Sequence, residues 1–510
     1  MGMGRRPGWP TAIGLTAIIS LAGAACGGGG GGSNVQPTPI PTIPIVTATP
    51  GPAATPTPTP AISRVETILR QGDAIPGGST VQDIEDADVA TSGAIAAIVQ
   101  VAGARGGRAV VSRSPAGALT AIFSPEQATD FDASTIAQVR VAPGGQVLFE
   151  AGTGQDETGT GLDSDRLYLA SGGTTQALAG APPGVVAPDF RILGEVEIGQ
   201  TGIAAFVGGG SPCTVTQQGD SVRVRCTAHL YVANGFTVEE VEVPDIDLGD
   251  QSISTPQIAI ADSGEAFFSL PGSGEEPTIV RLGTDGKLHV VLTAADEVDP
   301  VGRIVRPQLN AVNAAGDLLV TTTIQEDATP RPAVIGILRG MELIEVARES
   351  GRTGPDDVTD VRTVGLDDAG RVLFTATLGN ADAPDGPRRS LRLFDGTAVQ
   401  EIATENATFT GTDLTVLEIS STRFNRHGDV AFVAQLGRRT SGTVIVEEER
   451  VVLRRADGTV SSPLSTNGGG SFAQLGDISI TGFSEDASIL VRAQAQPSGD
   501  RVLLRTLPPA

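Results

Sequence analysis

The sequence predicts an all-β protein whose main domain is a single β-propeller of eight four-stranded blades. Three observations predict it. A short turn motif recurs eight times, at intervals of 52 to 62 residues. Each copy is followed by strand-like segments that end at glycine turns. The chain contains 66 glycines and only 4% aromatic residues. A glycine-rich, β-branched composition with little helical periodicity favours strands joined by many turns.

The turn motif is most complete at residues 425–432, NRHGDVAF. Asn or Asp at its first position can bond to its own backbone two residues on, which starts a turn. Glycine at its fourth position adopts a positive φ without a steric penalty, which closes the turn. The apolar residues that follow indicate a strand buried on both faces. The fourth-position residues are Gly93, Gly145, Gly202, Gly264, Gly316, Gly370 and Gly428, with Ala487 in a degenerate eighth copy.

Each repeat holds about four short strands. In the third repeat they are the motif strand, LYVANG at residues 230–235, TVEEVEV at 237–243 and TPQIAIA at 255–261, which precedes the next motif. Four antiparallel strands in a repeat of this length are typical of a propeller blade. Because the first and last copies match weakly, seven blades or two smaller arrays remain as alternatives.

The two ends of the repeat region complement each other. After the eighth motif the chain provides only SILVRAQ and RVLLRTL before it stops at Ala510. Residues 65–78, VETILRQGDAIPGG, resemble a third strand that no motif precedes. We therefore expect the N-terminal strand to complete the last blade, which also covers an exposed sheet edge.

The first 26 residues are predicted to be a signal peptide. Arg5 and Arg6 precede an apolar segment at residues 11–25, too short for a confident membrane span, and small residues lead into Cys26. This resembles a bacterial lipoprotein signal, in which the cysteine is lipidated, although Gly23 stands where that signal prefers Leu. The chain is thus expected to be exported and lipid-anchored to the outer face of the cell envelope, its only membrane contact. Plain secretion after cleavage at Ala24 and a retained anchor are the alternatives.

Residues 27–61 are predicted to be a disordered tether. Six glycines lead into a Thr/Pro-rich segment. Glycine runs are flexible, and Thr/Pro alternation favours extended polyproline II. Such a linker would hold the propeller, residues 62–510, away from a membrane. A leader without a spacing role is the alternative.

Two cysteines remain after Cys26. Between Cys213 and Cys226 lies a predicted hairpin with Gly219-Asp220 at its turn. In this register Gln218 faces Ser221 and Cys213 faces Cys226 in a non-hydrogen-bonded pair, a geometry fit for a disulfide. An oxidised bridge suits an exported protein. Two free thiols are the alternative, and no metal site is expected because His229 is the only nitrogen ligand nearby.

The formal net charge is −24, from 35 basic and 59 acidic residues. Removing Arg5 and Arg6 leaves 33 basic residues and a charge of −26. An acidic surface disfavours nucleic acid and anionic lipid as partners. Acidic segments at residues 83–88, 156–165 and 354–360 are interpreted as solvated loops, and none matches the twelve-residue calcium loop. No cofactor or metal is therefore expected, with weak calcium binding as the alternative.

The repeat resembles the bacterial tandem repeats described by Asn-x-x-Gly-x-x-Ala-Phe, found in exported proteins with varied surface anchors. Residues 425–432 match it fully, and NAAGDLLV at 313–320 and DDAGRVLF at 367–374 match in part. The resemblance covers about residues 63–507. It implies export and a propeller-like fold, and it carries over no catalytic residue.

Catalytic motifs are scarce. The three histidines, His229, His289 and His427, are far apart in sequence, and no G-x-S-x-G, H-E-x-x-H, Walker or dinucleotide motif occurs. We therefore expect a monomeric, non-catalytic scaffold or binding module whose protein or small-molecule partner meets the loops at one propeller face. The alternative is a hydrolase or lyase that uses carboxylates at the ring axis, which requires two or more acids with raised pKa values to converge there.

Overall fold

The structure is a computed structural model, and its compact units are residues 1–59 and 60–510. Every residue that it describes belongs to the second unit. The described ranges are 64–102, 107–124, 136–152, 165–179, 191–192, 196–218, 221–247, 257–270, 278–283, 286–293, 296–298, 302–324, 332–350, 354, 357–379, 386–440, 443–467 and 474–507. The signal peptide and tether predicted for residues 1–61 lie outside them and stay predictions.

Over these ranges the chain forms 34 strands in eight antiparallel sheets and no helix, so the eight-bladed propeller is confirmed. No helix that could cross a membrane occurs in this part of the chain. The strands of blades 1 and 2 are β2 Thr80–Val89, β3 Ile95–Ala102, β4 Gly107–Arg113, β5 Leu119–Phe123, β6 Val139–Val141, β7 Val147–Gly152, β8 Asp165–Ser171 and β9 Thr174–Ala179. Those of blades 3 and 4 are β10 Arg191–Ile192, β11 Glu197–Ile198, β12 Ile203–Gln218, β13 Ser221–Asn234, β14 Thr237–Asp247, β15 Gln257–Ile260, β16 Ala266–Leu270, β17 Thr278–Leu282 and β18 Leu288–Thr293.

The second half of the ring repeats the plan. Blades 5 and 6 contain β19 Glu297–Val298, β20 Gly302–Val312, β21 Leu318–Ile324, β22 Ala333–Arg339, β23 Glu342–Arg348, β24 Val358–Leu366, β25 Val372–Leu378, β26 Arg388–Phe394 and β27 Val399–Thr404. Blades 7 and 8 contain β28 Thr415–Phe424, β29 Val430–Thr440, β30 Thr443–Arg454, β31 Val460–Ser465, β32 Gln474–Phe483, β33 Ile489–Gln496 and β34 Arg501–Leu507, with β1 Arg64–Arg70 added to blade 8.

The strand that precedes each motif lies innermost in its blade. These inner strands are β2, β6, β11, β15, β20, β24, β28 and β32, and each contacts the inner strand of the next blade, from β2 round to β32 and back to β2. The ring is therefore closed around one axis. Every inner strand runs toward its turn motif, so the eight motifs lie at one end of the axis, called the turn end below. The opposite end is called the loop end.

The expected closure by the N-terminal strand is confirmed. β1 pairs antiparallel with β34, from Arg64 opposite Leu507 to Arg70 opposite Val502, and forms the outermost strand of blade 8. Leu69, only 2% exposed, packs into a cluster that includes Leu490 and Leu503. The first described strand thus joins the last.

The eight turns share one geometry. In every copy the fourth residue's N–H donates to the first residue's carbonyl at 2.8 to 3.1 Å. The seven motif glycines have φ between 78 and 86°, and Ala487 has a φ of 59°, which is uncommon for a residue with a Cβ. Asn313 and Asp367 accept from the amides two residues on, Ala315 and Ala369, at 3.1 and 3.0 Å. This is the turn chemistry that the motif predicts.

The core lies between blades and is supplied largely by the motif strands. Five of these strands place a phenylalanine four residues after the motif glycine, and each ring is at most 1% exposed. Full burial of such a ring contributes about 1.5–3 kcal/mol. The rings are Phe149, Phe206, Phe268, Phe374 and Phe432. A blade alone would expose them, which explains why the repeats stack.

Candidate functional site

Charged residues of the inner strands meet at the axis near the turn end. In four blades the residue five positions before the motif glycine is charged: Asp88 in β2, Arg140 in β6, Glu197 in β11 and Arg423 in β28. Asp86 joins them from β2. The other four blades have Ala or Gly at this position. These five side chains, called the axial cluster below, form the candidate site.

Adjacent members of the axial cluster are joined through side chain and backbone. Arg140 Nε lies 3.8 Å from Glu197 Oε1 in the next blade. The carboxylate of Asp88 accepts from the amides of Val89 and Val141, each at 2.9 Å. Because Val141 belongs to β6, Asp88 also ties blade 1 to blade 2. Acids and bases therefore alternate along blades 3, 2 and 1.

The two aspartates share one electrostatic environment with both arginines. Burial raises the pKa of Asp86, and Arg140 and Arg423 oppose that rise. Burial also raises the pKa of Asp88, opposed by the Val141 N–H and then by the same two arginines. Arg423 lies two blades from Asp86 around the ring, and its charge acts on both acids.

A β-bulge presents Asp86 to the axis. The register of β2 against β3 shifts between Ile84 and Asp86, which leaves Glu85 as the extra residue. Such a bulge turns the strand and re-aims the side chains beside it. Arg492 of blade 8 holds the bulge, because its Nη1 donates to the carbonyl oxygen of Glu85 at 2.7 Å. The direction of Asp86 is thus set by both neighbouring strands.

The three histidines do not meet. In blade 3, His229 Nδ1 lies 2.6 Å from Glu240 Oε1, but the geometry is not that of a hydrogen bond. His289 is exposed on β18 of blade 4. His427 Nδ1 lies 2.8 Å from the carbonyl oxygen of Glu485 at the turn end. No two of them share a site.

The acidic segment at residues 83–88 does not lie in the solvated loop that the sequence predicts. Residues 83–88 form part of β2, so their expected place in a solvated loop is wrong. Strand pairing and the bulge override the low strand preference of aspartate. Of the other two segments, only Asp165, Gly354 and residues 357–360 are described, and Asp357 accepts from the Gly354 amide at 2.7 Å. The described residues contain no cluster of three or more potential metal-ligating side chains.

The predicted cysteine hairpin forms between β12 and β13. Gln218 faces Ser221 and Val215 faces Val224, as the sequence predicts, and the register shifts between Gly210 and Thr214. The side chains of Cys213 and Cys226 lie outside the described part of the chain, as does Cys26, so the disulfide and the lipid stay predictions. The sequence interpretation did not single out Arg140, Glu197 or Arg423. Aligning the repeats on the motif glycine and comparing the preceding inner-strand positions would have found them.

Comparisons with known proteins add little about activity. Residues 240–462 match a family of unknown function, DUF7453, which covers less than half of the chain. No curated protein is significantly similar in sequence. Among solved structures, the Pyrococcus horikoshii acylaminoacyl peptidase is 12% identical with a TM-score of 0.40, covering 81% of this chain and 57% of its own. The chain therefore spans less than two thirds of that peptidase.

Two further structures cover a larger share of their own length. An ulvan lyase, a polysaccharide lyase, is 9% identical with a TM-score of 0.35, covering 75% of this chain and 96% of its own. A protein of unknown function from Dyadobacter fermentans is 13% identical with a TM-score of 0.30, covering 64% and 98%. Likenesses this weak carry no inference about the activity of this chain.

Proposed function

We propose that the protein is a non-catalytic binding module: an exported propeller, tethered to the envelope through lipidated Cys26, that binds a polar ligand at its axis. The observation that carries this proposal is the axial cluster. It places hydrogen-bond donors and acceptors of both charge signs around one axis. Charge-assisted hydrogen bonds are directional and strong, so the axial cluster favours a ligand that offers both hydrogen-bond donors and acceptors.

The axial cluster is also pre-organised. Asp88 is held by two backbone amides, and Arg140 and Arg423 each donate to a backbone carbonyl, of Val139 at 3.0 Å and of Thr422 at 3.1 Å. Side chains already fixed in place lose less entropy when a ligand binds.

The loop end is the proposed entrance. At the turn end the motifs are tight, and hydrogen bonds link neighbouring copies. The Asp368 carboxylate accepts from the Ala314 amide at 2.9 Å, and the Arg426 carbonyl accepts from the Asp368 amide at 3.0 Å. A longer connection, residues 405–414 between β27 and β28, joins strands at the loop end. Long loops on a rigid scaffold are the usual place for recognition.

Arginine substitutions test the axial ligand. The probes are a panel of oligosaccharides, amino acids and organic acids assayed by thermal shift, together with proteins captured from envelope extract. Arg423→Ala should abolish the binding that the wild type shows. Arg438→Ala is the matched control, because Arg438 is an exposed arginine of the same blade that pairs with Asp413 and Glu447. Finding nothing that distinguishes wild type from Arg423→Ala would contradict the proposal.

A second candidate, a hydrolase or lyase, is favoured by one observation: burial raises the pKa of two acids at the axis, Asp86 and Asp88. A carboxyl group with a raised pKa is suited to general acid catalysis. Turnover of a panel compound that Asp86→Asn abolishes while binding persists would establish catalysis and replace the first proposal.

The anchor is tested separately. Cys26→Ser should move the protein from the membrane fraction to the soluble fraction and remove the lipid mass from its N-terminal peptide. An unchanged membrane fraction would contradict lipidation without bearing on the axial ligand.

A further inference from the structure

The turn end of the axis is surrounded by the second residues of the eight motif copies. They are Thr91, Pro143, Gln200, Asp262, Ala314, Asp368, Arg426 and Glu485. Only Arg426 among them is cationic, while three are acidic. Its long side chain can therefore reach across the opening toward opposite charge.

Arg426 does cross the opening. Its Nη1 contacts the carboxylate of Asp262, and its Nη2 donates to the carbonyl oxygen of Ile260 at 3.3 Å. Arg426 belongs to blade 7 and both partners to blade 4, three blades away around the ring. The contact is therefore a chord across the axis, whereas the hydrogen bonds between motif turns join adjacent blades.

The backbone of Arg426 is fixed from both sides. Its N–H donates to Glu485 Oε2 of blade 8 at 2.7 Å, and its carbonyl accepts from the Asp368 amide of blade 6 at 3.0 Å. The side chain starts from an anchored point and is only 20% exposed. The Asp262 side chain is 42% exposed, so the arginine is the more shielded member of the pair.

The charges around the opening favour this arrangement. Glu485 interacts with Arg426, His427 and Asp368, and its pKa is raised, chiefly by burial and to a smaller extent by the Asp368 carboxylate. Three carboxylates around one opening repel one another. The Arg426 guanidinium lies among them and relieves part of that repulsion.

We propose that Arg426 is a cross-ring brace that closes the turn end of the axis and ties blade 7 to blade 4. The ring then has two closures of different kinds: the strand pairing of β1 with β34 at its circumference, and this ion pair across its axis. The brace goes beyond the proposed function, because the contact of Arg426 with blade 4 does not depend on which ligand the axis binds.

Hydrogen exchange in the full chain tests the brace. Arg426→Ala should raise the amide exchange of residues 257–264 in blade 4 about three- to tenfold, because opening of that turn is no longer restrained from across the ring. Arg438→Ala removes an arginine of blade 7 whose partners are Asp413 and Glu447, and it should leave exchange in blade 4 unchanged. Unchanged exchange in blade 4 after Arg426→Ala would overturn the proposal.

A double-mutant cycle provides a second, independent readout. Asp262→Asn keeps the size of the side chain and removes its charge, so it tests the pair even where Arg426→Ala fails to fold. It should raise exchange at residues 257–264 in blade 4 to the same extent as Arg426→Ala does. In the double variant the two effects should not add, since each substitution removes the same contact. Additive effects would show that the residues act separately and would overturn the brace.

Discussion

Leu69 is the residue on which closure by the N-terminal strand most directly depends. It faces Leu503 across the β1–β34 pairing and is 2% exposed in a cluster with Val81 and Leu490. Leu→Ala at a buried site costs about 2–5 kcal/mol, from lost burial and the cavity that remains. We expect about 3 kcal/mol for Leu69→Ala. In a cooperative unit of roughly 450 residues this lowers the melting temperature by about 3 °C.

The assay is urea denaturation monitored by far-UV circular dichroism, together with a calorimetric melting scan. Leu288→Ala is the matched control, because Leu288 also lies on an outermost strand, β18, but is 37% exposed. It should cost less than about 1 kcal/mol. Equal midpoints for the two variants would refute the reasoning, since they would mean that β1 adds no more stability than an exposed edge residue.

Three further predictions concern the turn, the axis and the hairpin. Gly428→Ala should cost about 2 kcal/mol or more in urea denaturation, because φ is +85° and a Cβ would overlap Arg371 and Asp367, whereas Gly458→Ala, at φ +89° in open space, should cost about 1 kcal/mol. Burial raises the pKa of Asp88 above its ordinary 3.8, so the folded chain binds this proton more tightly than the unfolded chain. As pH falls through the raised pKa toward 3.8, the melting temperature of the wild type should therefore rise relative to that of Asp88→Asn. A difference in melting temperature that does not change with pH would contradict this prediction. Non-reducing peptide mapping should recover Cys213 and Cys226 in one linked pair, and alkylation of both thiols without reductant would exclude the bridge.

Local chemistry made most of the fold predictable. The motif turn joins residues three apart, so its recurring glycine was enough to identify seven of the eight copies, and the count of turns gave the count of blades. The closing strand was found because the last repeat lacked a strand and the first had one in excess. In blades 1 to 4 Ala or Gly occupies the motif's first position, yet the same turn forms. The positive φ at the fourth position is therefore the decisive requirement.

The axial cluster was less predictable because it depends on ring closure. Asp86 and Arg423 are brought together only when blade 8 packs against blade 1. No local sequence pattern indicates that contact. The direction of Asp86 depends on a bulge that Arg492, about 400 residues away in sequence, holds in place. Aspartate is depleted in strands, so composition alone indicated a loop for residues 83–88. Inner-strand acids are thus the residues that sequence reasoning misplaces most readily in this fold.

The two halves of the ring differ in where their polar side chains lie. In blades 5 to 8 polar first residues link neighbouring turns: Asn313 Nδ2 donates to the Asp367 carbonyl at 3.5 Å, and Asn425 Nδ2 donates to the Ser484 carbonyl at 3.1 Å. Blades 1 to 3, whose first residues are Ala or Gly and offer no such side chain, supply four of the five axial charges. Because the turn links and the axial charges belong largely to different blades, substitutions of the axial charges in blades 1 to 3 should alter the proposed binding while the turn links of blades 5 to 8 keep the ring closed. Arg426 joins the halves, since it fixes the linked half to blade 4 across the axis.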